Sequence, residues 1–388
     1  MKNNRTFLEK LLDGAEVEWK LLGKVTDIKT GQSVSKNIIV QNPGIYPVIN
    51  SGREPLGFIN VWNTENDPIG ITTRGAGVGS ITWQEGKYFR GNLNYSVTIK
   101  SEYELNVRFL YHILLHFQKE IHNLCSFTGI PALNASELKK LEIPIPPLPV
   151  QTEIVRILDA LTALTSELTS ELTLRRKQYE YYREKLLSEE ELIKLGATAE
   201  NLGDVTSISS GGTPSTKEPA YWVGGNIPWI KSESCKNKLI DEIKHHITEV
   251  GLQNSNAKLL SPNTTLMAMV GATIFKTAFL PFEATTNQNI AAIKSKNGLS
   301  ITDKFIFYYL TNMYDFFISK LSGYNMVNLS QIKNIKILLP PLEEQQRIVA
   351  ILDKFEALTN SITEGLPLAI EQSQKRYEYY RELLLNFS

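Results

Sequence analysis

The residues of this chain whose types could do chemistry are few, and their spacing does not suit catalysis. Asp241-Glu242-Ile243-Lys244 sets carboxylates beside a lysine, as a metal-dependent nuclease would, but so do many solvated surfaces. His245 and His246 are adjacent rather than four apart, so one helix face cannot offer both to a metal. Gly75-Ala76-Gly77-Val78-Gly79 lacks the GxGxxG spacing of a dinucleotide loop and reads as a tight turn. There is no GxxxxGK(S/T) phosphate loop. The two cysteines, Cys125 and Cys235, have no CxxC or metal-ligand spacing and read as free thiols of a reducing compartment. No catalytic residue and no metal ligand is assigned.

The turn-rich segments are also basic, which would suit the recognition of a nucleic acid. Binding DNA takes cations against phosphates, and reading it takes donors and acceptors at base edges. Arginine can grip guanine with two bonds, and asparagine or glutamine can grip adenine. In the first half the candidates in turn-rich segments are Lys36, Arg53, Arg74, Lys87, Arg90 and Asn92. In the second they are Lys217, Lys231, Lys236, Lys238, Lys276, Asn287, Gln288 and Asn289. Residues 201–339 contain no arginine, so readout there leans on Lys, Asn, Gln, Ser and Thr, or on shape and water. For each of these the plain alternative is a solvated charge or a turn-capping amide. Asn92 and Asn94 (in Asn-Leu-Asn) stand where Asn287 and Asn289 (in Asn-Gln-Asn) stand in the second half, which suits a shared structural role equally well. Trp222 and Trp229 could touch DNA, although core packing is the favoured reading.

Two long helices must position these residues. Pro146–Leu187 reads as one helix and recurs as Pro340–Leu385. Pro147, Gln151, Ile154, Val155, Ile157, Leu158, Asp159, Leu164 and Thr165 recur 194 positions on, and Tyr179–Glu184, Leu186 and Leu187 recur 198 positions on. The second copy therefore carries four extra residues near Gly365–Ile370, where Gly365 and Pro367 predict a break or kink. Steps of four and three give Ile154, Leu158, Leu161, Thr165, Leu168, Leu172, Arg175, Tyr179, Tyr182 and Leu186, a largely apolar seam along one side. Thirty-seven helical residues from Gln151 to Leu187 would span about 55 Å. Such a helix needs a partner for its seam, and the second copy can be that partner. Tyr179 and Tyr182 fit the seam but Tyr181 points elsewhere. These three and their copies Tyr377, Tyr379 and Tyr380 serve helix pairing, partner docking, or both.

The segments before each helix are also related. Leu22–Gly31 (LGKVTDIKTG) matches Leu202–Gly211 (LGDVTSISSG), and Gly129–Leu148 aligns without a gap on Gly323–Leu342. The chain is a tandem duplication: globule 1–145, helix and connector 146–200, globule 201–339, helix 340–388. The expected fold is mixed α/β (α+β), with two globules joined by two long antiparallel coiled-coil helices in a pseudo-twofold arrangement. A short helix Arg5–Leu12 should precede β-rich runs at Ile38–Val40, Tyr46–Ile49, Ile69–Thr73, Ser80–Trp83 and Tyr95–Ile99. A helix at Val107–Asn123, a loop at Ser126–Asn134 and a strand at Leu141–Ile145 should follow. Lys+Arg against Asp+Glu run 16 to 14, 7 to 10, 13 to 9 and 5 to 8 over the four segments, so the globules are basic and the helices acidic although the net charge is zero. The N-terminus lacks the apolar core of a signal peptide and no run suffices for a membrane span, so a soluble cytoplasmic protein is expected.

Two variable globules, each followed by Pro-Pro-Leu-x-x-Gln-x-x-Ile-Val-x-Ile-Leu-Asp and ending in Tyr-Glu-Tyr-Tyr-Arg-Glu, resemble the specificity subunit of type I restriction-modification systems. Gly211–Thr216 (GGTPST) and Ile227–Ser232 (IPWIKS) also look like that family's recognition-domain sequence, whereas Gly31–Lys36 (GQSVSK) departs from the GGTP form. The resemblance implies two target recognition domains, each reading half of a split double-stranded DNA site. It also implies helices that set the spacer and dock two modification (methyltransferase) subunits. The specificity subunit would carry no catalysis and no cofactor. S-adenosylmethionine would sit on the modification subunits, and ATP and Mg²⁺ would serve accompanying restriction subunits. An adenine methyltransferase would need an Asp-Pro-Pro-Tyr or Asn-Pro-Pro-Tyr/Phe motif, which is not in this sequence. The rival readings are a two-headed coiled-coil adaptor that binds proteins and a nuclease with its site near Asp241–Lys244.

Overall fold

The computed structural model describes residues 7–52, 54–296, 298, 300–320, 326–361 and 364–387. The chain forms two compact units. The first comprises Met1–Thr169 with Ala369–Ser388, and the second Ser170–Leu368. Each unit holds one globule (a head), the start of the long helix that follows it and the end of the other long helix. The division therefore cuts through the helices rather than falling at their ends, because each seam is covered by a different element along its length.

The first head is built on an antiparallel sheet in the order Thr26–Thr30, Asn94–Ile99, Ile69–Thr72, Ile81–Trp83. Helices Val107–His116 and Gln118–Asn123 pack on it, burying Phe109, Leu110, Ile113 and Leu114. One helix was expected across this stretch, but it breaks at Phe117 (ψ 15°). A smaller sheet pairs Pro43–Ile49 with Phe58–Ile59 and Lys87–Arg90, and Lys87–Arg90 also pairs with Thr64–Glu65. The strand expected at Ile38–Val40 is instead a helix, Lys36–Gln41. Ser35 caps its start and the Asn42 side chain donates to Ile38 O at 2.9 Å. These local bonds outweigh the β preference of Ile-Ile-Val, which is context-dependent. The short N-terminal helix is described over Phe7–Leu12; Arg5 lies outside the described residues.

The second head repeats the plan in the order Thr206–Ser210, Ile290–Ser295, Thr264–Ala268, Thr277–Leu280, with Lys238–Leu239 added in parallel at the edge. In each head, entry and exit strands pair as a short antiparallel neck: Glu18–Leu21 with Glu142–Ile145, and Thr198–Asn201 with Lys336–Leu339. The repeated Leu-Gly beyond each neck has a steric reason. A Cβ on Gly23 would lie 2.6 Å from Lys139 Cβ, and one on Gly203 would lie 2.8 Å from Lys333 Cβ.

Leu148–Leu186 is a single helix of 39 residues, about 58 Å long. All ten expected seam residues are buried or half-buried. In the first unit Thr165 Oγ1 meets Ser373 Oγ at 2.8 Å, while Ile154 and Leu158 share a core with Leu384 and Leu385, so the segments run antiparallel. In the second unit Arg176 reaches Thr359 O, while Tyr179 and Tyr182 lie against Phe355, again antiparallel. The second long helix is interrupted where the four extra residues fall: it runs Leu342–Asn360 and resumes at Gly365, whose φ is +77°.

Candidate nucleic-acid interface

The second head also has a smaller sheet, with Ile227–Ile230 between His246–Ile247 and Thr285–Thr286, and in each head the turn that joins the two sheets carries the candidate amides, its hydrogen bonds fixing which residues correspond. In the first head Gly91 N donates to Ile49 O, and in the second Asn287 N donates to Ile230 O. Gln32 N and Gly212 N donate to Arg90 O and Thr286 O in turn. Tyr95 pairs with Thr30 where Ala291 pairs with Ser210. Asn92 thus corresponds to Gln288 and Asn94 to Ile290, one place away from the sequence match of Asn92 with Asn287. The like-looking Asn-Leu-Asn and Asn-Gln-Asn do different things. Asn94 is buried and accepts from Arg90, whereas Asn287 Oδ1 caps Asn289 N at 3.2 Å. In the first head that cap on the Leu93 amide comes from Asn50, just past the strand Pro43–Ile49, at 3.0 Å.

Lys36, Arg74, Lys87 and Asn92 are exposed on the first head, with Lys87 over the Trp62 ring at 4.5 Å. Arg53 lies outside the described residues. Arg90 is a correction: only 3% exposed, it is a core residue rather than a DNA-facing one. Its Nη1 donates to Ile69 O, Asn94 Oδ1 and Tyr95 O, and its Nη2 to Asp67 O and the Tyr88 hydroxyl. Burial disfavours its charged form, and the Tyr88 hydroxyl and Asp67 oppose that shift.

On the second head Lys217 and Lys236 are exposed, and Lys276 is half-buried beside Tyr314. Lys238 is bound to Asp241 at 2.5 Å and Glu242 pairs with Lys244 at 3.4 Å, so the carboxylates suggestive of a nuclease are held in ion pairs. Asn287 is buried and Asn289 half-buried, each within the turn. Gln288 is exposed at the turn's tip and accepts from the Thr213 hydroxyl at 2.6 Å. Thr213 lines a cleft of about 620 Å³ with Trp222, Trp229, Lys231 and His245. Trp229 is buried with its Nε1–H on Gly212 O, and Trp222 stands edge-on to it at 5.1 Å, so both tryptophans pack and also wall this cleft. The fold brings Lys231 and Gln288 to one place and leaves Lys236, Lys238 and Lys276 elsewhere.

The tyrosines divide cleanly. Tyr179 is buried, and Tyr182, Tyr377 and Tyr380 are half-buried in helix packing. Tyr181 and Tyr379, which correspond, are 57% and 63% exposed.

Four helix residues recur without having been assigned a role, and they join each head to its helix. Gln151 is fully buried; its Oε1 accepts from Asn106 N while its Nε2 donates to Glu104 O and Pro146 O. Gln345 does the same with Thr302 N, Ser300 O and Pro340 O. Asp159 accepts from Arg108 Nε at 2.9 Å and from His112 Nε2 at 2.8 Å. Asp353 accepts from Lys304 Nζ at 2.8 Å and the Tyr308 hydroxyl at 2.5 Å. The signal was present in the sequence, since a polar residue repeated amid an apolar stripe asks for a buried partner.

The chain is thus a duplicated α/β protein whose two heads each carry polar, cation-bearing loops. A family model described as the type I restriction modification DNA specificity domain matches residues 15–174 and again 198–372. A Haemophilus influenzae protein assigned as a type I restriction enzyme specificity subunit is 40% identical over the full length of both chains. The EcoR124I/EcoR124II specificity subunit of Escherichia coli is 34% identical over 98% of this chain and 97% of its own. The crystal structure of a type I S subunit from M. genitalium superposes with a TM-score of 0.65 at 18% identity, covering 97% of this chain and 98% of that one, a likeness of fold. The chain belongs to the type I restriction-modification specificity-subunit family, whose members supply DNA recognition and are not themselves catalytic. Among the described residues no helix is long and apolar enough to cross a membrane.

Proposed function

We propose that this chain gives a type I complex a split, asymmetric DNA target, with residues 19–145 reading one half and residues 202–339 the other. The observation that carries this reading is the one shared frame with different tips. The strand registers of the two heads correspond residue for residue around the turn, yet exposed Asn92 stands where Gln288 does and exposed Ser33 where Thr213 does. A common frame with altered donors and acceptors is what two different half-sites require. The long helices set the spacer between the halves and dock two adenine-methyltransferase subunits, with Tyr181 and Tyr379 in the docking surface. Restriction subunits complete the assembly. S-adenosylmethionine is held by the modification subunits, and ATP and Mg²⁺ serve the restriction subunits. The complex works in the cytoplasm, where its DNA is. The Escherichia coli relative is named as the specificity subunit of a type I restriction enzyme, which supports this set of partners.

The test is the adenine-methylation map of the host genome with and without the gene. Loss of one split motif on deletion is the expected result; an unchanged map in a host whose modification subunit is expressed would overturn the proposal. Removing four residues from one long helix shortens it by about 6 Å with only about 40° of drift in its seam. The spacer should change and both half-site sequences should stay; altered half-sites at an unchanged spacer would contradict the division of labour.

A further inference from the structure

We propose that Asp159 and Asp353 are positioning residues for DNA recognition, each fixing the angle at which a head leaves its own long helix and so the spacer length the complex accepts. The inference rests on the split-site reading above. Each head meets its helix through a narrow neck of four residue pairs followed by two prolines, which leaves the joint few backbone hydrogen bonds of its own. Gln151 and Gln345 pin the start of the head helix to the start of the long helix. A single pin permits pivoting. The aspartates lie eight residues further along, about 12 Å away. They hold the head helix a second time, through Arg108 and His112 or through Lys304 and Tyr308. Two ties at that separation define an angle.

The duplication supplies an independent observation. The donors differ completely between the units, yet the acceptor, its place on the long helix and the positions of the donors on the head helix are the same. What is common is the geometry rather than any particular ion pair. Buried His112 and Tyr308 each need an acceptor, but ion-pair strength accounts for little of the repeat, because the two aspartate side chains are 36% and 41% exposed. Packing of Phe109 and Ile113 in one core with Ile154 and Leu158 holds the head on its helix without the clamp.

The experiment maps adenine methylation in hosts expressing the whole complex with wild-type chain, Asp159→Asn, Asp353→Asn or Tyr308→Phe. A wild-type map without a split motif would defeat the functional reading itself, whatever the variants do. Given a split motif, the expected result is that both half-site sequences persist while methylation at sites one base pair shorter or longer in spacer rises by about tenfold. Tyr308→Phe keeps the ring and one of the two bonds to Asp353, so it should shift the map the same way by less. Where an Asp→Asn chain fails to accumulate, the Tyr308→Phe map decides. A single unchanged spacer, or a changed base in either half-site, overturns the proposal. Asp159→Glu, which can still reach Arg108, should restore much of the wild-type spacer distribution.

Discussion

Arg90 shows how far a residue's role depends on where the chain carries it. In sequence it is an arginine two places before an asparagine in a turn, the pairing a DNA reader would use. In the structure Tyr88, Phe89 and Arg90 are all buried in succession, and the guanidinium closes a ring of main-chain oxygens. The corresponding residue in the second head, Thr286, asks for no such ring. Arg90→Ala takes this donor from Ile69 O and Tyr95 O, while Asp67 O keeps the Tyr88 hydroxyl, at a cost of about 2–5 kcal/mol. We expect thermal melting to show the first head unfolding early, with the second head's transition in place. His112 gives a second test at this scale. Burial lowers its pKa below the usual value despite the opposing bond to Asp159, with Arg108 adding to the lowering. The folded state therefore binds a proton less readily than the unfolded one. Its stability is full above about pH 6.5 and declines as pH falls toward the lowered folded value. His112→Gln should lose less melting temperature between pH 7.5 and 5.5 than the wild type, and an equal loss would place the titration elsewhere.

At the scale of elements, the long helices were the most legible part of the chain. Their period is set by one apolar seam, and all ten seam positions are at least half-buried. The break at Gly365 could be read from the mismatch between copies. The tips were less legible. Lys36–Gln41 folds by local capping against its β-branched composition, and the offset between Asn92 and Asn287 appears only once strand register is known. Gln151 and Asp159 were visible as repeats, but their partners on the head lie 45–51 residues away in sequence and only the fold joins them. The same geometry separates the tyrosines by task. Tyr179→Ala should destabilise the second unit by about 3–5 kcal/mol in denaturant titration, since it vacates a buried aromatic site. Tyr181→Ala with Tyr379→Ala should leave that titration unaltered and weaken retention of the methyltransferase subunit in co-purification. Undiminished retention would move the docking surface away from these rings.

At the scale of the whole chain, the net charge of zero conceals basic heads and acidic helices, a division consistent with one surface meeting phosphates and another meeting protein. Affinity of the assembled complex for DNA of unrelated sequence should fall steeply with added salt, and a flat response would favour a protein ligand for the heads. The necks carry a different consequence. Because Leu21 lies opposite Glu142 and Asn201 opposite Lys336, each head begins and ends at one spot, as a cassette does. Two genetic crossovers at a neck could exchange everything from residue 22 to 141, or from 202 to 335, while the helices and whatever docks on them stay unaltered. Inheritance can then write a new address into the complex without redesigning the machine that delivers to it.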